Sequence, residues 1–238
     1  MNSLHFPALT RSGALVLAFW SSGLAAQSTI MSLWARADVP LDTTPESPFW
    51  RAAQAVHMEA DPYGHPLLRY RTEVRARWTT QNLYFLFICP YDELNLKPNP
   101  KHSTETYKLW DWDVAEVFIG SDFKDIDHYK EFEVSPQGEW VDLDVDLHKP
   151  HHEDGWKWDS GFNVSARIDR VARIWYGAMK IPYSAIDTRP ATADNTLRIN
   201  LFRSQGPGGQ RHQITWQPPM SDSFHVPERF GLLKLVKN

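Results

Sequence analysis

From Arg69 onward the apolar positions recur with a period of two. Across Arg69–Trp78, the residues Tyr70, Thr72, Val74, Ala76 and Trp78 share one face, and arginines hold most of the other. That alternation predicts a half-buried strand. Leu83–Ile88 is almost continuously apolar, as a central strand is, and Gln81-Asn82 before it suits a hairpin turn. Val114–Ile119, Tyr129–Val134 and Trp140–Val145 follow as short strands, the last two separated by the turn Ser135-Pro136-Gln137-Gly138. Phe162–Ile168 and Ile174–Ile181 pair next, joined around Asp169-Arg170, and Pro182–Ile186 reads as a helical turn. Leu197–Arg203, His212–Trp216 and Leu232–Val236 complete the set, with a loop tip at Gly206-Pro207-Gly208-Gly209. Many short strands and no long amphipathic helix predict an all-β protein: an antiparallel β-sandwich of two sheets, of immunoglobulin or jelly-roll type.

The N-terminal part breaks this rhythm. Arg11, an apolar run from Gly13 to Phe19 and small residues ending at Ala25-Ala26 have the order of a secretory signal peptide, residues 1–26. The run is short for a bilayer span. The expected product is exported, to the periplasm or the medium, with no membrane attachment after cleavage. Residues 27–47 show little periodicity and carry Pro40 and Pro45, which predicts a tether or loosely packed lead-in, with the domain occupying 48–238. The 238 residues carry a net charge of −4 with acidic and basic side chains mixed. No basic stripe is present for nucleic-acid phosphates. The single cysteine, Cys89, sits in an apolar strand and cannot form an internal disulfide.

Candidate chemistry gathers in Trp110-Asp111-Trp112-Asp113-Val114-Ala115-Glu116-Val117-Phe118-Ile119. Strand parity sets Glu116 beside Val114 and Phe118, and a carboxylate there needs a partner or a wet cleft. Trp110 and Asp113 lie on the loop entering that strand. The stretch resembles the motif of the family 9 carbohydrate-binding modules. So do, in order, Glu131–Pro136, Arg198–Arg203, Ile214–Trp216 and the closing Pro227-Glu228-Arg229-Phe230-Gly231. The resemblance runs from Trp50 to Val236. It implies a non-catalytic module that binds a mono-, oligo- or polysaccharide and serves polysaccharide catabolism. It also implies that Trp110 and Trp216 clamp a sugar ring against their faces, while Glu116 and Asn200 read its hydroxyls. Where sugar-binding members carry an arginine, this chain has Glu133. Arg203 on a neighbouring strand is the candidate replacement donor. Trp112 competes with Trp110, and Glu116 could instead pair structurally with Arg203. Asp113 reads as a turn-former.

Other chemistries are weaker. Hydrolysis of a glycoside needs two carboxylates set across the scissile bond. Asp111, Asp113 and Glu116 are close in sequence, but no second carboxylate stands out on an opposing strand. Related sandwiches hold haem b, for which Met58, Met179 or Met220 with His57 or His212 are the candidate ligands. Family members hold structural calcium. Asp122–Asp127 and Asp142–Asp146 have carboxylates for it, without an ordered ligand motif. His148, His151, His152, Glu153 and Asp154 form a polar loop, for which solvation is the simpler reading than a transition metal. Asn163-Val164-Ser165 fits a glycosylation sequon but falls in a predicted strand.

Overall fold

The computed structural model describes residues 28–149 and 155–237. The signal peptide read in residues 1–26 lies outside the described residues, as do His151, His152, Glu153 and Asp154. Among the described residues no helix is long and apolar enough to cross a membrane.

The strands are β1 (Thr29–Trp34), β2 (Ala55–Met58), β3 (Thr72–Trp78), β4 (Asn82–Pro90), β5 (Val114–Gly120), β6 (His128–Val134), β7 (Trp140–Asp146), β8 (Asn163–Asp169), β9 (Ile174–Pro182), β10 (Thr196–Gln205), β11 (His212–Thr215) and β12 (Gly231–Val236). Hydrogen bonds link them in the order β7-β6-β5-β10-β12-β1-β3-β4-β9-β8, with β11 on β10 and β2 on β3. The ladder folds over on itself. Its two halves meet in one apolar core holding Val117, Phe132 and Leu201 from one layer and Val74, Phe85 and Met179 from the other. A Cβ at Gly177 on β9 would stand 2.9 Å from Val134 Cγ1 on β6, so the layers touch there. This is the expected sandwich. All its ladders are antiparallel except the two made by β1, which runs parallel to both β12 and β3.

The expected tether does not describe the stretch that begins at residue 28. Thr29–Trp34 is a sheet strand, and the segment after it is fastened across the outer face of β3 and β4. The alternating arginines do the fastening. Arg77 donates to the carbonyls of Leu33 (2.8 Å), Trp34 (2.7 Å) and Phe49 (2.6 Å), and Arg75 to that of Pro45 (2.7 Å). Asp38 accepts from Thr79 Oγ1, Asn82 Nδ2 and Tyr84 OH. Trp50 is buried in the short helix α1 (Pro48–Arg51) and donates to Asp42 O at 2.7 Å. Residues that look irregular by pattern are thus held by polar anchors rather than by periodicity.

The outer face of the other layer carries a second apolar cluster, with Val114, Phe118, Leu143 and Phe202 among its members. Parity explains it. Ala115, Val117 and Ile119 of β5 enter the main core, so Val114, Glu116 and Phe118 point outward. Loops fold over this face and leave a cavity above it.

Candidate functional site

The cavity has a volume of about 210 Å³. Its floor is β5 and β6, where Glu116 stands directly opposite Glu133, and Phe118 opposite Glu131. Its walls come from loops, with Tyr107 and Trp110 before β5, Trp156 after β7, and Phe224 and His225 before β12. Tyr107 and Trp110 meet edge to face at 5.3 Å. Phe224 lies flat on Phe202, with ring centroids 4.2 Å apart and planes 9° apart. Tyr129 OH lies 2.7 Å from His225 Nδ1, and Trp156 Nε1 donates to Asp146 O at 3.0 Å. The result is an aromatic-walled pocket with a few placed polar groups, the general form of a small-ligand site.

The tryptophan loop is held from behind. Leu109–Asp111 makes one 3-10 turn after Lys108, whose φ is +62°. Arg211 donates to the carbonyls of Trp110 (2.5 Å), Asp111 (3.3 Å) and Trp112 (2.9 Å), fixing the turn that presents Trp110. Asp113 is buried, and its role is structural, as a turn-former was expected to be, although it reaches further than a local cap. Its Oδ1 accepts from Gly206 N at 2.7 Å and its Oδ2 from Asn95 N at 3.1 Å, which ties three loops together. Burial pushes its carboxyl up to about 6.

Three glutamates dominate the floor. Glu116, Glu131 and Glu133 are 2%, 3% and 0% exposed, and each offers an oxygen within 4.8 Å of the others. Glu116 Oε1, Glu131 Oε2 and both oxygens of Glu133 have no hydrogen-bond partner among the described residues. Such groups are costly to bury. Like charges opposite each other on neighbouring strands add repulsion. Burial, and then the neighbouring carboxyls, push Glu116 and Glu133 well above the ordinary carboxylate range. Burial pushes Glu131 up to about 7. At neutral pH Glu116 and Glu133 therefore keep their protons, and Glu131 is about half ionised.

Of the residues expected to bind sugar, Trp110 and Glu116 line the cavity, and Trp112 does not. Trp216, Asn200 and Arg203 lie elsewhere. Trp216 follows Thr215, whose partner Phe202 faces the cavity side, so alternation turns the indole toward the main core. A Cβ at Gly231 would lie 2.5 Å from its ring, so only glycine accommodates it there. Trp110 and Trp216 thus sit on opposite faces of one sheet and do not form a clamp with each other. Asn200 donates to Gln217 O (2.9 Å) and accepts from the amides of Leu201 (2.9 Å) and Gln217 (3.1 Å). It is a buried backbone brace. Arg203 enters the core between the layers, where it donates to Thr72 Oγ1 (2.9 Å), Pro90 O (2.7 Å) and Tyr70 O (3.5 Å). It therefore neither pairs with Glu116 nor replaces the missing arginine.

The remaining expectations resolve by packing. Cys89 is buried in the core, and burial pushes its thiol up to about 12. Met58 and Met179 are enclosed in the same core, and Met220 is exposed on a loop with φ +58°. His148 is exposed near Asp125 and Asp127. Asn163 is exposed at the start of β8, as its strand assignment predicted.

No curated protein matches the chain. Three solved structures share its fold. One is a Bacteroides uniformis protein inferred to bind carbohydrate, with TM-score 0.68 and 14% identity over 88% of this chain and 100% of that one. The others are a family 9 carbohydrate-binding module from Caldicellulosiruptor kristjanssonii in complex with cellotriose (TM-score 0.61, 12% identity, 89% and 95% covered) and one in complex with glucose (0.62, 11%, 89% and 97%). The family model described as carbohydrate family 9 binding domain-like matches residues 41–238, nearly everything the described fold contains. With the sandwich, the ordered motifs and this match in agreement, the chain belongs to the carbohydrate family 9 binding domain-like family.

Proposed function

We propose that this chain is a non-catalytic carbohydrate-binding module, exported by its N-terminal signal, that takes a sugar ring into the cavity above β5 and β6. The observation that carries the reading is the pocket itself, with aromatic walls over a polar floor in a member of this family. Trp110 offers a ring face to pyranose C–H groups, and Tyr107, Phe118, Trp156 and Phe224, rather than Trp216, are the other large aromatic rings that line the space. Glu116 and Glu131 meet the ligand's polar groups from below. Catalysis is disfavoured because a glycosidase sets its two carboxyls on either side of the scissile bond, about 5–9.5 Å apart. Here Glu116, Glu131 and Glu133 share one floor, and the acid on the wall, Asp222, is engaged by Tyr63 OH at 2.7 Å. A role beside polysaccharide-degrading enzymes follows from export and from sugar binding without turnover.

For a structural calcium, the best oxygen set is Glu105, Asp142 and Asp159, which offer ligand atoms within 4.8 Å of one another. Asp142 Oδ1 is buried without a hydrogen-bond partner among the described residues, which suits a hard cation. Of the carboxylates first suspected, Asp142 belongs to this set, while others are engaged elsewhere. Asp122 caps the amides of Lys124 and Asp125, and Asp144 binds His128 and Lys130.

The test is a glycan panel against the mature protein, read by tryptophan fluorescence and calorimetry. A saturable ligand that Trp110→Ala weakens and Trp216→Ala does not is the expected result. Failure of the whole panel by folded protein, or equal loss from both variants, overturns the site.

A further inference from the structure

The floor of the cavity has a chemistry that neutral sugar binding leaves unexplained. A neutral pyranose presents hydroxyls, each both donor and acceptor, and one carboxylate with one amide suffices to read them. This floor instead holds three carboxyls within 4.8 Å, almost wholly enclosed, with four oxygens lacking any hydrogen-bond partner among the described residues. Resting on the reading of this cavity as the sugar site, we propose that it selects a protonated amino sugar, a pyranose whose ammonium group is received by Glu116 and Glu131 with Glu133 directly behind them.

Donor and acceptor numbers agree. An ammonium carries three N–H donors and no acceptor, and the lining carboxyls Glu116 and Glu131 each present an unpartnered oxygen, with the Glu133 carboxyl adding acceptor charge behind them. Charge agrees as well. A cation is what allows several buried carboxylates to ionise together, so the arriving ammonium would displace the protons they hold when the site is empty. The only guanidinium or ammonium among the side chains lining the cavity is Arg211; its hydrogen bonds go to the carbonyls of the Trp110 turn, and its charge only partly offsets the burial and the Glu131 repulsion that raise Glu116. A divalent ion fits less well. Calcium takes six to eight oxygens, whereas the further side-chain oxygens of the lining belong to Tyr107, Ser204, Gln213 and an Asp222 that already accepts from Tyr63 OH, and Phe118, Leu143 and Trp156 are apolar or donor-only. Those same apolar surfaces suit the carbon face of a sugar ring. The position of Glu133 sharpens the point. It lies behind the lining, directly opposite Glu116 on the neighbouring strand.

Calorimetry with three matched oligosaccharides tests this directly: a glucosamine trimer, its N-acetylated form and cellotriose, all at pH 6.5. The glucosamine trimer should bind at least tenfold tighter than either neutral ligand. That ratio should fall to within twofold in Glu133→Gln and in Glu131→Gln, with folding checked by circular dichroism. Neutral ligands that bind as tightly as the amine would overturn the inference while leaving the sugar site standing. Failure of all three ligands, with the broad panel also negative, removes both readings. A calcium-dependent rise in melting temperature that Glu133→Gln abolishes, without amine selectivity, would identify the floor as a metal site and overturn the proposal.

Discussion

Arg203 and Glu133 stand on strands either side of β5, both 0% exposed and both ionisable, yet the fold treats them in opposite ways. Arg203 points into the core and is held by two carbonyls and a hydroxyl within 2.9 Å or, for Tyr70 O, 3.5 Å. Only its Nε lacks a partner. Glu133 points to the other face and has none for either oxygen among the described residues. A buried charge supplied with partners by its own chain is a structural brace. A buried acid left without them, at the base of a pocket, is stabilised only by protonation or by something that enters.

The largest expected effect falls on the satisfied partner. Arg203→Ala strands the carbonyls of Tyr70 and Pro90 and opens a void between the layers, and should cost about 3–5 kcal/mol in urea unfolding. Loss of under 1 kcal/mol would mean that the brace is dispensable.

Next comes pH. The carboxyls of the floor titrate higher in the folded chain than in the unfolded one, where glutamate ionises near 4.3. The folded state therefore binds more protons, and the stabilisation is complete below about pH 4.3. It declines as pH rises through about 7, where Glu131 ionises, and beyond. Glu131 alone should account for on the order of 3 kcal/mol between pH 4.5 and pH 8. Thermal melts across that range check this, and a melting temperature that rises with pH would contradict it.

Removing the unsatisfied acid should have the opposite sign from removing Arg203. Glu133→Leu is expected to raise stability at pH 8 by about 1–2 kcal/mol and to flatten the pH slope. Denaturant midpoints at pH 5 and 8 measure both. The smallest effect is on the wall. Trp110→Ala should weaken the best ligand about tenfold, roughly 1.4 kcal/mol, with little change in melting temperature.

Ten of the twelve strands were legible because their inward positions are apolar and alternate. β1 was not, since its inward pair is Ile30 and Ser32, and the buried serine erases the period. β2 spans only four residues, with just one fully buried. For the cavity, the pattern pointed to two of its lining residues, Trp110 and Glu116, the loop tryptophan and the acid at an outward position of an apolar strand. Glu131 was also within reach, being two residues from Glu133 and therefore on its face. Trp156, Phe224, Arg211 and His225 were not, because loop residues carry no period and reach the pocket only through tertiary folding. Trp216, Asn200 and Arg203 are the converse case, lying outside this cavity. Family motifs fixed their strands, but the face each uses depends on which side of the sheet the ligand occupies.

The placement of β1 has a mechanical consequence. It lies parallel to β12, with Thr29 beside Leu232 and Leu33 beside Val236. The described chain thus enters at one end of this seam and leaves at the other. Tension between residues 28 and 237 would load every hydrogen bond of the ladder at once, in shear, instead of peeling them off singly. Forced unfolding is governed by the barrier to the first rupture. A fold that begins and finishes on adjacent parallel strands is built to resist being pulled between its two ends.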